Sequence, residues 1–580
     1  MVAMLVDWAP GPGLSRVCPI CRMQGDKPRR LVVRDRPDGG TPYHLYGCPS
    51  CGGAFFDPPH EARYEEPANA DGAVKFYVEQ GAGIDVMLAP TAVLDHRPVR
   101  RYLEIGCGFG FSLDYAQRAR GWIGRGYDPG LLAQTGREAL GLDIRPAYFT
   151  ADTPLDEGAW DAVFCSEVIE HVPEPSAFLA TARRALASDG ILVLTTPNAA
   201  GIVPETDLGA LLPLLSAGFH TMLFSAEALR KALLESGFVH VRVEESPHQL
   251  QAMASDRPLG DGPPFDRLAY RDYLTGRVGL HEADSPLGAG FRCRLLKEFV
   301  NAGEYEAAKT PLAELRQAWV GLYGIDLDDP AAIRFSQPGT LDFDTLAARF
   351  PFNLCSVLYM QGMLRINAAG DPAGAALSFG AAAAFAALLR SALQGIGTDD
   401  GETADLGAQA PCEQILALAR FDPAAAAARY AGLTALPAAL RERTRRRLIV
   451  ALVNAGAYAS AESLVEAGDE GLAEPGTDVA DRLSLAFVVG MLKLNHRADQ
   501  QGAAETFHAV YFACRRRLDD PTGRTLLWPA RYHEALALSH AGRMSAAQNA
   551  ATDLLAPAPT GAPEVPSPYR AWAQQILGVR

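Results

Sequence analysis

The chain has 580 residues, 48% hydrophobic and 21% charged, which is an ordinary globular balance in a polypeptide too long for one core, so about two to four domains are expected. The formal net charge of −15 excludes general nucleic-acid binding, because an acidic protein repels a phosphate backbone. No run is expected to reach the ~18 uncharged apolar residues that a membrane span needs.

The opening residues, Met1-Val2-Ala3-Met4-Leu5-Val6-Asp7, lack the basic head and long apolar stretch of a secretory signal, so a cytoplasmic location is expected. Six cysteines (Cys107, Cys165, Cys293, Cys355, Cys412, Cys514) stand singly among apolar neighbours, as small buried hydrophobes do in a reducing compartment. The Arg run from Arg441 to Arg447 reads as a solvated helix face.

In chain order, the first chemistry-bearing feature is a pair of CxxC turns, Cys18-Pro19-Ile20-Cys21 and Cys48-Pro49-Ser50-Cys51, with strand-like residues 30–34 and 43–46 between them. Four thiolates brought together by a hairpin suit tetrahedral zinc, and a set with no open position implies a structural rather than a catalytic ion. A pair of unmetallated turns and a rubredoxin-like iron site are the alternatives. Pro58-Pro59-His60 closes this segment, read as a zinc-ribbon domain over residues 1–62.

The next segment, residues 63–255, alternates short apolar runs (101–105, 121–127, 160–165, 191–195, 239–244) with helical patterns, the sequence form of an α/β, doubly wound parallel sheet. Its last well-marked helix starts at Pro175-Ser176 and is expected to end at Asp189-Gly190. Strand 101–105 leads into Gly106-Cys107-Gly108-Phe109-Gly110 and a helix from about Ser112, the order that nucleotide sites use. A dinucleotide fingerprint would require glycine at position 111, where this chain has Phe111.

The GxGxG loop of Leu103-Glu104-Ile105-Gly106-Cys107-Gly108-Phe109-Gly110, the acid of Asp128-Pro129 at the next strand end, and Ser166-Glu167-Val168-Ile169-Glu170-His171-Val172 together resemble a class I S-adenosylmethionine-dependent methyltransferase. The last segment is similar to that of small-molecule O-methyltransferases related to ubiquinone biosynthesis, and the resemblance covers roughly residues 75–250. It implies a Rossmann-like sheet that binds S-adenosyl-L-methionine at Gly106, Cys107, Gly108 and Gly110, with Asp128 and Pro129 at the ribose and Ser166 and Glu167 bordering the crevice.

Glu104 either meets the cofactor's ammonium group or anchors the loop. Tyr77, in Lys75-Phe76-Tyr77-Val78, either closes over the cofactor or packs in the core. Methyl transfer to a hydroxyl needs a base. The resemblance points to His171, and to His220 ahead of Phe224-Ser225, as catalytic candidates, with structural roles as their alternatives.

Residues 256–285 begin with Asp256-Arg257-Pro258-Leu259-Gly260 and read as a linker, and residues 286–580 read as an all-helical repeat domain. Gly362-Met363-Leu364-Arg365-Ile366-Asn367 recurs as Gly490-Met491-Leu492-Lys493-Leu494-Asn495, and Asn301-Ala302-Gly303-Glu304-Tyr305 as Asn454-Ala455-Gly456-Ala457-Tyr458. The first shift is 128 and the second 153, so the first copy carries 25 extra residues (153 − 128), expected within 319–351. His540-Ala541-Gly542-Arg543-Met544 opens a further unit. The pattern resembles degenerate tetratricopeptide-type repeats.

The leading expectation is an enzyme methylating a hydroxyl of a small molecule or glycan precursor. The glycan element comes from resemblance to zinc-knuckle methyltransferases that include deoxysugar-modifying enzymes, whose usual C-terminal domain is not evident in this sequence. The alternatives are methylation of a protein docked on the repeats, and a non-catalytic scaffold that binds partners through its zinc and repeat modules.

Overall fold

The computed structural model describes residues 5–36, 40–60, 70–80, 84–154, 160–434, 436–466 and 479–578. The chain divides into two compact units, one of residues 1–368 with 381–407, the other of 369–380 with 408–580.

The first unit is built on a seven-stranded sheet in the order His240–Glu245, Gln249–Ser255, Leu186–Pro197, Trp160–Ser166, Arg101–Ile105, Ile123–Tyr127, Ile144–Arg145. Its central strands are apolar on both faces, with Tyr102, Leu103, Val163, Phe164, Leu192 and Val193 buried, as strands covered by helices on each side must be. The five strands from Leu186–Pro197 to Ile144–Arg145 pair in parallel. This places the ends of Arg101–Ile105 and Trp160–Ser166 side by side, with Ile105 opposite Cys165.

Two sequence expectations about the sheet change here. The 239–244 strand is not parallel: His240–Glu245 forms a hairpin with Gln249–Ser255, and its three-residue connection permits only antiparallel pairing. The helix from Pro175 stops at Ala185, and Asp189-Gly190 lies within strand Leu186–Pro197. There the register jumps from Trp160↔Leu186 to Ala162↔Ile191, and a side chain at Gly190 would meet the Trp160 carbonyl at 2.9 Å, so the pair marks a bulge.

The expected linker contains helix Arg267–Val278, which buries Tyr270, Tyr273 and Leu274. The Tyr273 hydroxyl donates to Asp114 at 2.7 Å, and Arg277 lies 3.1 Å from the same carboxylate. Pro and Gly at 258–264 mark only the approach to this helix.

The cysteine segment is not a separate layer either. Val6–Asp7, Arg29–Arg34, Pro42–Gly47 and Ala54–Phe56 form a sheet whose fifth strand, Met222–Leu223, comes from the methyltransferase-like segment. The helices Pro286–Asn301, Tyr305–Tyr323, Phe343–Arg349 and Leu354–Asn367 belong to the same compact unit as the sheet rather than to a repeat domain beginning at 286.

The internal repeats appear as helix–turn–helix pairs. Gly303, Gly456 and Gly542 take φ of 74°, 74° and 75°, the left-handed conformation that closes a helix. Each turn makes the same three backbone bonds: 302→298, 303→300 and 304→299 recur as 455→451, 456→453 and 457→452, and as 541→537, 542→539 and 543→538. The insertion in the first copy corresponds to the stretch containing helix Phe343–Arg349.

Among the described residues, one helix, Pro372–Gly395, is long and apolar enough to cross a membrane, which corrects the expectation of no such run. It is uncharged from Pro372 to Leu389, but 56% of its most apolar window is buried within the protein, as in a core helix. The Arg run at 441–447 is also more than a solvated face. Arg445 is buried, and Arg445 and Arg446 both pair with Glu442 at 2.7 Å.

Candidate functional site

The glycine loop sits where the parallel strands Arg101–Ile105 and Trp160–Ser166 end. Gly106, Gly108 and Gly110 have φ of 69°, 51° and 88°, left-handed values that disfavour any residue with a Cβ. A Cβ on Gly106 would also stand 2.4 Å from the Val168 side chain, so the loop after Trp160–Ser166 lies directly on it. Gly110 caps helix Phe111–Arg118, whose first N–H groups face the loop. Cys107 turns its side chain into the sheet, close to Gly126.

Asp128 follows strand Ile123–Tyr127, with half-buried Pro129 next to it. Its carboxylate accepts from the Gly108 N–H at 2.9 Å and the Gly130 N–H at 2.7 Å, which fixes the acid to the glycine loop. Burial holds its carboxyl above the ordinary range, against the pull of those two donors.

Glu104 is 4% exposed, and its Oε2 is a buried oxygen with no hydrogen-bond partner. Burial pushes its carboxyl well above the ordinary range, and the nearby Asp128 charge adds to this. An orphaned acid beside a glycine cradle suits an amino-acid ammonium, and Asp128 suits ribose hydroxyls, so these residues fit S-adenosylmethionine.

Tyr77 lies over the loop, its hydroxyl 3.2 Å from the place a Gly108 Cβ would take, its ring stacked on Phe111 at 6.1 Å. Helix Ala70–Gln80 carries it and is clamped by helices that follow the sheet. Arg294 donates to the Val78 carbonyl at 3.0 Å, and the Phe352 N–H to Glu79 at 2.8 Å. Asn353 donates to the Glu79 carbonyl at 3.0 Å, and Lys75 to the carbonyls of Ala347 and Phe350, each at 2.7 Å.

On the other side of the loop, the Ser166 hydroxyl bonds to Thr195 at 2.8 Å, and Thr195 donates to Glu167 at 2.9 Å, as does Gln249 at 3.1 Å. Glu167 has φ 55°, a conformation rarely adopted by a residue with a side chain and one that redirects the chain into the turn Ile169–His171.

That turn aims Glu170 inward. Its side chain is fully buried, with Oε2 accepting from Thr196 at 2.8 Å and Oε1 lacking a hydrogen-bond partner. Oε1 lies 3.8 Å from His171 Nε2 and 3.9 Å from His220 Nε2. Both histidines donate from Nδ1 to carbonyls, His171 to Phe219 at 3.1 Å and His220 to Leu214 at 2.9 Å. Carbonyls only accept, so each Nδ1 holds its proton and each Nε2 presents a lone pair.

Burial lowers the pKa of both histidines, His220 well below the ordinary range, and raises Glu170 well above its own. Two imidazole lone pairs and a carboxylate oxygen within 4.8 Å of one another can accept a proton, and can equally ligate a divalent cation, the backbone carbonyls fixing the imidazoles from behind. His171 is partly open to solvent whereas His220 is 4% exposed, so of the two only His171 can meet an incoming acceptor.

The four thiols converge as the CxxC spacing implies. Cys18 and Cys51 sulfurs are 4.0 Å apart, and Cys21 and Cys48 sulfurs 3.7 Å. A tetrahedral zinc with bonds of about 2.3 Å gives sulfur–sulfur edges of about 3.8 Å. The geometry therefore fits this ion.

The sequence singles out His171 and His220 but assigns no role to Glu170 beside them, since nothing in it shows a carboxylate turning inward. It also presents His60 only as part of a boundary and gives no sign of the clamp on the Tyr77 helix, which depends on contacts over 200 residues away in the chain.

Comparison with known proteins bears on the same segment. Residues 83–243 match the family model of a methyltransferase domain. A probable S-adenosylmethionine-dependent methyltransferase of Mycobacterium tuberculosis is 32% identical over 143 residues, 24% of this chain and 50% of that protein. A ubiquinone biosynthesis O-methyltransferase of Caulobacter sp. is 38% identical over 106 residues, 17% of this chain and 41% of that protein.

Among solved structures, a SAM-dependent methyltransferase from Archaeoglobus fulgidus shares 17% identity and a TM-score of 0.26, over 31% of this chain and 97% of that one. The chain spans about half the length of the curated relatives it matches.

Proposed function

We propose that this chain, which carries a methyltransferase domain over residues 83–243, transfers a methyl group from S-adenosylmethionine to a hydroxyl of a small molecule or glycan precursor. The observation that carries the proposal is the Glu170–His171–His220 cluster, two neutral imidazoles and a buried acid on the loop that packs against Gly106.

Glu104 would hold the cofactor's ammonium, Gly106, Gly108 and Gly110 would admit its backbone-close portion, and Asp128 its ribose, with Pro129 and Cys107 shaping the loop. When bound, the cofactor supplies an electrophilic methyl on a sulfonium. Tyr77 closes the site from above and excludes water, which favours in-line attack over hydrolysis. His171 takes the hydroxyl proton at Nε2, and Glu170 Oε1, 3.8 Å away, stabilises the resulting imidazolium. Ser166, Glu167 and Thr195 keep the turn that presents them in place.

The cysteine module is read as a structural zinc site. The helices after the sheet support a role inside the enzyme rather than as a protein-docking platform, because several of them clamp the helix that carries Tyr77.

The test is to incubate wild type and His171→Asn with methyl-labelled cofactor and extracts fractionated by size. The expected result is label in a small-molecule or glycan fraction, lost in the variant. Label entering polypeptide would refute the acceptor class, and absence of cofactor binding by calorimetry would refute the enzyme reading itself.

A further inference from the structure

The cysteine module is joined to the Glu170–His171–His220 cluster by a short, continuous run of bonds. From the Cys48–Cys51 turn the chain passes through Gly53 into strand Ala54–Phe56, which pairs with Met222–Leu223, two residues after His220. A Cβ on Gly53 would stand 3.0 Å from the Leu223 carbonyl, so the approach depends on glycine. The Phe56 N–H donates to the Thr221 carbonyl at 3.0 Å, while the N–H and hydroxyl of Thr221 both donate to the Glu170 carbonyl at 2.9 Å. The Ser225 hydroxyl donates to the Cys51 carbonyl. Thr221 is thus shared, bonded on one side to the module and on the other to the buried acid.

His60 is the module's other contribution. Its ring lies edge-on to Tyr43 at 5.2 Å and to Phe56 at 5.8 Å, both from the module's own strands. Both of its ring nitrogens are buried, and the backbone of His220 is its nearest polar neighbour among the described residues. It is near enough to His171 and His220 that its charge bears on both. A buried imidazole with so few polar neighbours is costly, and a fold retains such a cost where the group serves a site.

We propose that the N-terminal cysteine module is a positioning element of the histidine–glutamate cluster: its metal-loaded thiolates hold strand Ala54–Phe56 against residues 221–223, and it presents His60 as a third imidazole near those of His171 and His220. The module's own sheet is small, and an ion held by all four thiolates would supply the rigidity that so little apolar core cannot. Loss of the ion then frees the strand that sets His220 and Thr221, and the cluster opens while the cofactor loop, held by Asp128 and the parallel sheet, stays formed. The role assigned to the cluster rests on the hydroxyl-methylation reading, but its attachment to the module does not.

The experiment uses the full-length zinc-loaded protein, stripped with an organomercurial and then reloaded with Zn2+. Hydrogen exchange is read in residues 216–226 and, as a control, in strand Leu186–Pro197. The expected result is exchange at least about tenfold faster in 216–226 on stripping, an unchanged control strand, cofactor affinity by calorimetry within about twofold, and recovery on reloading. Unchanged exchange in 216–226, or a rise shared by the control strand, would overturn the proposal.

A second variant, His60→Gln in the loaded protein, leaves the thiolates intact. It should lower kcat about tenfold and shift the acidic limb of its pH profile, with cofactor affinity preserved. A variant with wild-type kcat and pH profile also overturns it. If coupled exchange is seen but no acceptor is ever methylated, the functional reading has failed and the mechanical link stands.

Discussion

The most decisive perturbation is Glu104→Gln, because it changes charge at a buried oxygen in the cofactor cradle that has no hydrogen-bond partner among the described residues, while keeping the side chain's shape. An ammonium bonded to a carboxylate contributes about 1.5–3 kcal/mol, and at about 1.4 kcal/mol per tenfold this predicts cofactor binding weaker by about 10- to 150-fold.

The free protein should respond in the opposite sense. Burial raises the Glu104 carboxyl well above its unfolded value, so its contribution to stability is fully present below the unfolded pKa and is lost as pH rises through the folded one. The amide cannot ionise, and Glu104→Gln should therefore melt higher than wild type at pH 8 without cofactor. Binding to wild type should release a proton, seen as a buffer-dependent enthalpy in calorimetry. A variant that binds within about twofold of wild type, or melts lower at pH 8, would refute the assignment.

Gly108→Ala adds a Cβ at φ 51° and 3.2 Å from the Tyr77 hydroxyl. The left-handed strain alone costs about 1–2 kcal/mol, so calorimetry should show cofactor affinity reduced about tenfold or more. His171→Asn should lower kcat by about 10²- to 10⁴-fold, the usual contribution of a general base, with cofactor affinity intact in the same calorimeter.

Glu79, buried on the same helix as Tyr77, has its carboxyl pushed up to about 7 by desolvation. Stability from its protonated form is present below the unfolded value near 4.3 and is lost as pH rises through about 7. Wild type should lose up to about 3 kcal/mol across that window, and Glu79→Gln should flatten the melting-temperature profile between pH 5 and 8.

The parts of the fold legible in the sequence are those governed by local rules. Strand 101–105, the GxGxG loop and Asp128 were readable because a left-handed turn demands glycine and a parallel strand buried on both faces reads as an apolar run. The CxxC pairs were readable because four sulfurs around one point need that spacing. Hairpin 240–255 was misjudged because its second strand runs into the Pro/Gly stretch at 258–264, which reads as the start of a linker. Helix Arg267–Val278 was lost to the same stretch.

Glu170 was invisible for a different reason. Adjacent residues in a strand face opposite ways, and only the 3₁₀ turn after the strained Glu167 brings Glu170 and His171 to one point together with a histidine 49 positions later.

That distinction bears on how the site works. The donor side is made from one contiguous strand–loop–helix and Asp128, whereas its cover, Tyr77, is set by Arg294, Phe352 and Asn353. The acceptor side is set by residues 54–60 and 221–225. Flanking segments thus brace both the cover over the cofactor and the cluster that meets the hydroxyl, while residues 83–243 carry the cofactor loop and the cluster's own side chains. A truncated chain of residues 83–243 would keep the glycine loop and Asp128 but lose Tyr77 and strand Ala54–Phe56, and with them closure over the cofactor and the placement of His220.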